Sequence, residues 1–256
     1  MTEHRATRTL AGRRRAPARR IRDVLRARIL AGVYGAEPLP SESQLAADFN
    51  ASRNIVREVL TLLRGEGLVD RIPGSGTFVV SEKVVHGLDR LRGLAESFDS
   101  GGDRLVNRVL WAERVPATAI VAERLGLRPG EEVVALERVR SLDGEPLSLD
   151  ASYLPADIGG PLLELDLVRN DVFCLIEREL GLPLGAASVR IEAVAADVVV
   201  ADLLDVADGS PLLFVERLTH SHAGRPVDLE FLRYRGDRLS LSGVLARSPH
   251  PCPLHP

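Results

Sequence analysis

Apolar positions follow a helical period in the first third of the chain. Ile21, Val24, Leu25, Ile29 and Leu30 recur at helical spacing, which predicts a helix from Ala18 to Gly32, ended by Gly32 and Gly35. Ser41 is placed to cap a second helix, with Gln44 three residues on in capping-box position; Gln44 to Phe49 carries it. Asn50-Ala51-Ser52 breaks the pattern. Ser52 caps a third helix that runs to about Glu66, where Gly67 supplies the stop. At about 100° per residue, Arg53, Arg57 and Arg64 fall in a narrow stripe with Asn54 beside them, and Ile55, Val56, Val59, Leu62 and Leu63 take the opposite arc. Leu68-Val69 and Thr77 to Val80 read as two strands joined through Arg71-Ile72-Pro73-Gly74-Ser75-Gly76. Beyond them Leu88, Leu91, Leu94 and Phe98 make a short apolar stripe, which predicts a brief amphipathic helix feeding a flexible Ser100-Gly101-Gly102.

Further on the pattern repeats. Ala122 to Asp150 and Ala201 to Glu230 each show a short helix, a glycine turn (Gly130, Gly209), a strand ending in Glu-Arg, a Gly-x-Pro turn and a returning strand. Arg138 matches Arg217, and Asp150 matches Glu230 near the ends of the returning strands. Two helix-hairpin units predict an antiparallel sheet with helices on one side, an α+β domain. Between them Asp171 to Leu180 reads as a helix and Ala187 to Ala196 as a strand.

At 256 residues and 45% hydrophobic content the chain suits two globular domains. Its start is polar and basic, no apolar run approaches the roughly 18 residues of a membrane span, and Cys174 and Cys252 are the only cysteines. A cytoplasmic protein without a disulfide framework is expected. The net charge of −3 hides a split: residues 1–80 hold 14 Lys/Arg against 8 Asp/Glu, a net of +6, and the remainder carries −9. The expected organisation is a disordered basic tail (1–17), a first domain (18–80), a linker (81–102), a second domain (103–245) and a disordered Pro-rich tail (246–256).

The arginine stripe suits a polyanion. Two guanidinium groups and an amide lie in the first turns of the third helix, at its positive end. Arg can pair with guanine O6 and N7, and Asn with adenine. A solvated basic face would show the same stripe, but the glycine-tipped hairpin adds backbone that can approach a phosphate, completing a winged helix-turn-helix. The segment resembles the DNA-binding domain of GntR-type bacterial transcription regulators through Leu39-Pro40-Ser41-Glu42, Leu45-Ala46, Ser52-Arg53, Val56-Arg57-Glu58, Leu63, Glu66-Gly67-Leu68-Val69 and Gly74-Ser75-Gly76-Thr77-Phe78-Val79. The resemblance implies contact with double-stranded DNA through Ser41, Ser43, Ser52, Arg53, Asn54, Arg57, Gly74 and Ser75, by a homodimer on a near-palindromic operator. Ser43 stands where many relatives carry a longer polar residue, and Asn54-Ile55 where small hydroxyl residues are common; Asn54 is expected to tune base preference and Ile55 to pack.

From about Asp103 to Leu241 the chain resembles the UTRA effector-binding domain of the HutC branch of these regulators, a chorismate-lyase-like fold. The carriers are Glu137-Arg138-Val139-Arg140, Gly144-Glu145-Pro146-Leu147, Ser152-Tyr153-Leu154-Pro155, Gly209-Ser210-Pro211-Leu212 and Tyr234-Arg235-Gly236-Asp237. The resemblance implies a small-molecule effector lined by Arg138, Arg140, Asp150, Asp171, Glu230 and Tyr234, with guanidinium groups for an anionic function and carboxylates for hydroxyls or amines. Asp171 at the start of its helix disfavours a phosphorylated sugar there. Three alternatives stand beside this: Arg138 and Glu230 form an internal ion pair, the effector site is lost, or Asp150 and Glu230 perform lyase-like acid–base work. No nucleophile–base set is legible, and neither cofactor nor metal is expected. His220 and His222 sit by a hairpin tip, His250, Cys252 and His255 in the tail, and Trp111 and Phe173 are expected in the core.

Overall fold

The computed structural model describes residues 3–35, 37–80, 83–97 and 105–246. The chain separates into two units, residues 1–84 and 85–256, which are taken in turn.

In the first unit, α1 (Glu3–Leu30), α2 (Glu42–Asp48) and α3 (Arg53–Gly65) precede a hairpin of β1 (Val69–Ile72) and β2 (Gly76–Val79). Leu25 and Ile29 of α1, Leu45 of α2 and Val56, Val59 and Leu63 of α3 bury against Leu68 and Val69. Each such side chain contributes about 1.5–3 kcal/mol on leaving water. The serine caps form: Ser41 Oγ accepts from the Gln44 N–H at 3.2 Å and Ser52 Oγ from the Ile55 N–H at 3.4 Å. The Leu39 N–H donates to the Thr77 carbonyl at 2.7 Å, tying the entry of α2 to the hairpin. Ile55 packs against this core as expected.

Two expectations fail here. The basic tail is helical from Glu3, because Ala and Arg are strong helix formers and need no apolar stripe. Val24, expected inward, is 51% exposed, and Ala18 one turn and a half earlier takes the buried place.

The second unit begins with β3 (Val84–Gly87), a short 3-10 turn (Ala95–Ser97), β4 (Leu105–Pro116), α4 (Ala119–Leu125), β5 (Glu132–Leu142), β6 (Glu145–Pro155), α5 (Ala156–Leu162) and α6 (Val172–Glu179). It continues through β7 (Leu184–Ala195), α7 (Val198–Leu204), β8 (Pro211–Ser221), β9 (Pro226–Arg235) and β10 (Leu239–Ser242). Six strands form one antiparallel sheet in the order β4-β5-β6-β9-β8-β7, and β3 pairs with β10 apart from it.

The repeat is structural. Thr118 and Asp197 cap α4 and α7, and Gly126 and Asp205 end them in the left-handed region. The Gly130 N–H donates to Ala117 O as the Gly209 N–H does to Ala196 O. The hairpins β5-β6 and β8-β9 meet along β6-β9, where Ser152 faces Glu230 and Ser148 faces Tyr234.

Helices cover both faces of the sheet, not one. Val139, Leu149 and Leu212 pack on α7, and Val133, Leu218 and Leu229 on α4. Alternation puts Leu136, Arg138, Arg140, Asp150 and Leu154 on the other face, where Leu136 and Leu154 meet α5 and α6. The Glu-Arg pairs lie in mid-strand, since β5 and β8 continue beyond Arg138 and Arg217. The stripe from Leu88 to Leu94 is not an amphipathic helix: the Leu88 N–H donates to Ser242 O at 2.6 Å, ending the β3-β10 pairing, and bends lead to the 3-10 turn. Phe98, the glycine pair and the C-terminal tail from 247 lie outside the described residues.

Candidate nucleic-acid interface and effector site

In the first unit α3 turns its basic stripe outward. Arg53, Asn54 and Arg57 are exposed, as are both capping serines and Ser43. Arg57 Nε donates to Glu42 Oε2 of α2 at 2.8 Å, and Arg64 stands 3.4 Å from Asp70 of β1. Between α2, α3 and the hairpin lies a cleft of about 620 Å³ lined by Ser41, Glu42, Arg57, Arg64, Arg71 and Ser75 among others. It gathers Ser41, Arg57 and Ser75 on one concave surface. The hairpin tip is exposed, with Gly74 at φ +80°, a conformation only glycine takes without strain. The Ser75 N–H is spent within the turn on Ile72 O at 3.1 Å, so its hydroxyl is the group left to face outward. Arg22 and Arg26 of α1 are held by Glu66, at 3.5 and 2.9 Å.

In the second unit all six expected effector residues converge on one sheet face, and all are buried, from Arg138 at 1% exposed to Asp171 at 4%. Two ion-pair systems occupy most of them. Arg140 stands 2.5 Å from Asp150 and 3.1 Å from Asp171. Asp150 also accepts from the Ser148 hydroxyl at 2.7 Å, and Asp171 caps α6 by accepting the Phe173 N–H at 3.1 Å. Asp171 is therefore committed to internal contacts, sharing the Arg140 guanidinium with Asp150. The Asp171 carboxyl is raised by burial but pulled lower overall by Arg140 and Arg138; Arg140, which burial would lower, is raised by Asp150 and Asp171.

Glu230 does not pair with Arg138. It takes a two-pronged bond from Arg217, at 2.6 and 3.0 Å, and Arg217 lies over the Phe173 ring at 4.6 Å. Arg217 was visible in the sequence as the repeat's counterpart of Arg138, the signal that should have placed it in the site.

Arg138 is left alone. None of its three nitrogens finds a hydrogen-bond partner although all are buried. Burial, with Arg140 alongside, pushes its pKa down to about 10. Asp228, whose carboxylate oxygens also find no hydrogen-bond partner, is pushed well up by burial and by Glu230. Burial likewise raises the Tyr234 hydroxyl.

The segment Arg92–Ser97 lies against this charged face. Arg92 O accepts from Arg217 at 3.1 Å, the Ala95 N–H reaches Asp171 at 3.5 Å, and Leu94 is 2% exposed. Gly93 passes so close to Asp171 that a Cβ would overlap its carboxylate. Beside the segment opens a cavity of about 300 Å³ bordered by His86, Leu88, Arg90, Arg92, Val189 and Arg217. Of the expected core aromatics Phe173 is buried, whereas Trp111 is 38% exposed and donates to Glu137 at 2.8 Å. Among the described residues no group of His, Cys, Asp and Glu is placed to hold a metal, and no helix is long and apolar enough to cross a membrane.

Comparison with known proteins agrees with both halves. Residues 17–79 match the model of bacterial regulatory proteins of the gntR family, and residues 100–240 match the UTRA domain. The chain is 30% identical over 210 residues to the transcriptional repressor NagR of Bacillus subtilis, covering 82% of this chain and 86% of that protein. It is also 30% identical over 215 residues to a probable fructoselysine utilization operon transcriptional repressor of Escherichia coli, covering 84% and 88%. The crystal structure of PhnF from Mycobacterium smegmatis superposes with a TM-score of 0.65 at 25% identity, over 89% of this chain and 100% of that one. The chain therefore belongs to the GntR family of bacterial regulatory proteins, as a DNA-binding transcription regulator with a UTRA effector-binding domain and not as an enzyme.

Proposed function

We propose that the protein is a cytoplasmic repressor that binds a near-palindromic operator as a homodimer and is released by a small polar effector bearing an acidic group. Arg53 and Arg57 read bases and Asn54 tunes the preference. Ser41, Ser43, Ser52 and the tip residues Gly74 and Ser75 position phosphates. The effector sits on the sheet face among Arg138, Arg140, Asp150, Asp171, Glu230 and Tyr234.

One observation carries the effector reading: Arg138 is 1% exposed, charged at neutral pH and without a single hydrogen bond. Buried guanidinium N–H groups left without acceptors are costly even with carboxylates nearby, and an acidic ligand group removes that cost by accepting from them. To reach it the ligand displaces Arg92–Ser97, whose contacts with Arg217 and Asp171 it replaces.

Thermal-shift screening with sugar phosphates, sugar acids and amino acids tests this. A compound that stabilises the wild type is expected to lose its shift on Arg138→Met. The free variant is expected to melt no lower than wild type, since its environment disfavours the Arg138 charge. A ligand shift that survives Arg138→Met places the effector elsewhere.

A further inference from the structure

The sheet order leaves two edges, β4 and β7, and an unpaired edge is a template for another chain unless it is guarded. β4 is guarded. Its pairing with β5 slips in mid-strand between Val109 and Trp111, two of its exposed side chains are engaged, Trp111 with Glu137 and Arg114 with Glu132, and its Asn107 N–H already donates to Val168 O at 3.2 Å.

β7 has its one register shift at its start, between Leu184 and Ala187. Its register with β8 runs unbroken from Ala187 to Ala195, it contains neither Pro nor Lys, and every residue from Ser188 to Ala193 is exposed. Both of its faces are open to solvent. Val189 is 45% and Ile191 41% exposed on the side that carries Arg217, while Arg190 and Glu192 occupy the other. Among the described residues neither Arg190 nor Glu192 has an ion-pair partner.

The stretch Val189-Arg190-Ile191-Glu192-Ala193 is its own complement. Two copies of β7 placed antiparallel about a twofold axis perpendicular to the sheet keep each residue on its face. Such pairings must therefore centre on a residue. Centring on Ile191 sets Arg190 of each copy against Glu192 of the other, and Val189 against Ala193. Centring one residue earlier opposes arginine to arginine, and one later glutamate to glutamate.

We propose that β7 is the seam of the homodimer, joining two six-stranded sheets edge to edge with reciprocal Arg190–Glu192 pairs at its centre. This rests on the homodimer reading above and names its surface. The apolar side of the seam brings Val189, Ile191 and Ala193 of the two copies together. Ala187 and Val189 also border the 300 Å³ cavity, so ligand occupancy and dimer geometry share one strand.

The test is sedimentation of the full chain at micromolar concentration, with thermal melting as a check on folding; the side chains changed are exposed. Arg190→Glu and Glu192→Arg are each expected to weaken the dimer about tenfold or more, because each sets like charges opposite twice. An equimolar mixture of the two variants is expected to recover dimers, seen as the heterodimer by native mass spectrometry. The doubly exchanged chain, carrying both substitutions, is expected to dimerise like wild type. If the wild type is dimeric and both single variants dimerise as tightly, the seam is overturned while the homodimer stands. Weakened variants that fail to recover on mixing overturn the Ile191-centred pairing. A wild type that remains monomeric, free and on operator DNA, overturns seam and homodimer together.

Discussion

His86 lies 6% exposed on β3, facing Arg217, Arg140 and Arg92 as well as Asp171. Burial first, and the neighbouring guanidinium groups second, push its pKa down to about 4 from the ordinary 6.5. The folded protein thus holds it neutral, whereas the unfolded chain takes up a proton as pH falls through 6.5. Stability is therefore complete above 6.5 and declines between 6.5 and 4, by about 1–3 kcal/mol in all. Urea unfolding of wild type and His86→Gln at pH 7 and pH 5 checks this: the variant is expected to lose less stability on acidification. An equal loss in both would mean that carboxylates alone set the acid limit. The residues gathered on this face were legible because the repeat marks them: Arg138 and Arg217 recur at equivalent places, as do Asp150 and Glu230. Their pairing was not legible. Arg217 takes Glu230, which the strand register sets directly opposite it, whereas Asp150, opposite Arg138, is held by Arg140 and Ser148 instead, a fact of three-dimensional neighbours.

At the scale of elements, α3 presents Arg57 with a partner already in place. The bond to Glu42 is exposed, with Arg57 63% open to solvent, and such surface pairs contribute only about 0–1 kcal/mol. Transfer of the guanidinium from Glu42 to a base edge therefore meets little resistance. Arg57→Ala is expected to cost about 1–3 kcal/mol on the preferred operator and to relax its specificity. Fluorescence anisotropy on operator and random duplex measures both, and an equal loss on the two would make Arg57 a phosphate contact. The helices around Arg57 were readable because their signals are local: Ser41 and Ser52 cap within three residues, and Gly67 stops α3 with a positive φ of 68°. β3 was misread because its partner, β10, lies about 150 residues away. The leucine spacing after it imitates a helix while the hydrogen bonding goes to Ser242. β4 and α5 carry no comparable end signals and escaped notice for that reason.

For the whole molecule, regulation requires that the effector distinguish a DNA-competent from an incompetent state. The segment Arg92–Ser97 is the element an effector would displace: it rests on the charged sheet face. Gly93 is its tightest point, since any side chain there meets the Asp171 carboxylate. Gly93→Ala is therefore expected to unseat the segment without ligand and to weaken operator binding as the effector does. Coupling of this kind typically amounts to about 5–150-fold in affinity. Thermodynamic reciprocity adds a second, independent requirement, that saturating operator lower effector affinity by the same factor. Anisotropy titrations of operator, and calorimetric titrations of effector with and without operator, measure the two factors. In Gly93→Ala both are expected to shrink toward unity, because the state the effector would select is already populated. A variant that binds operator as wild type does and keeps the full coupling would exclude the segment from the switch. The signal would then have to leave the effector face by another route, such as the β7 edge, whose Ala187 and Val189 border the cavity.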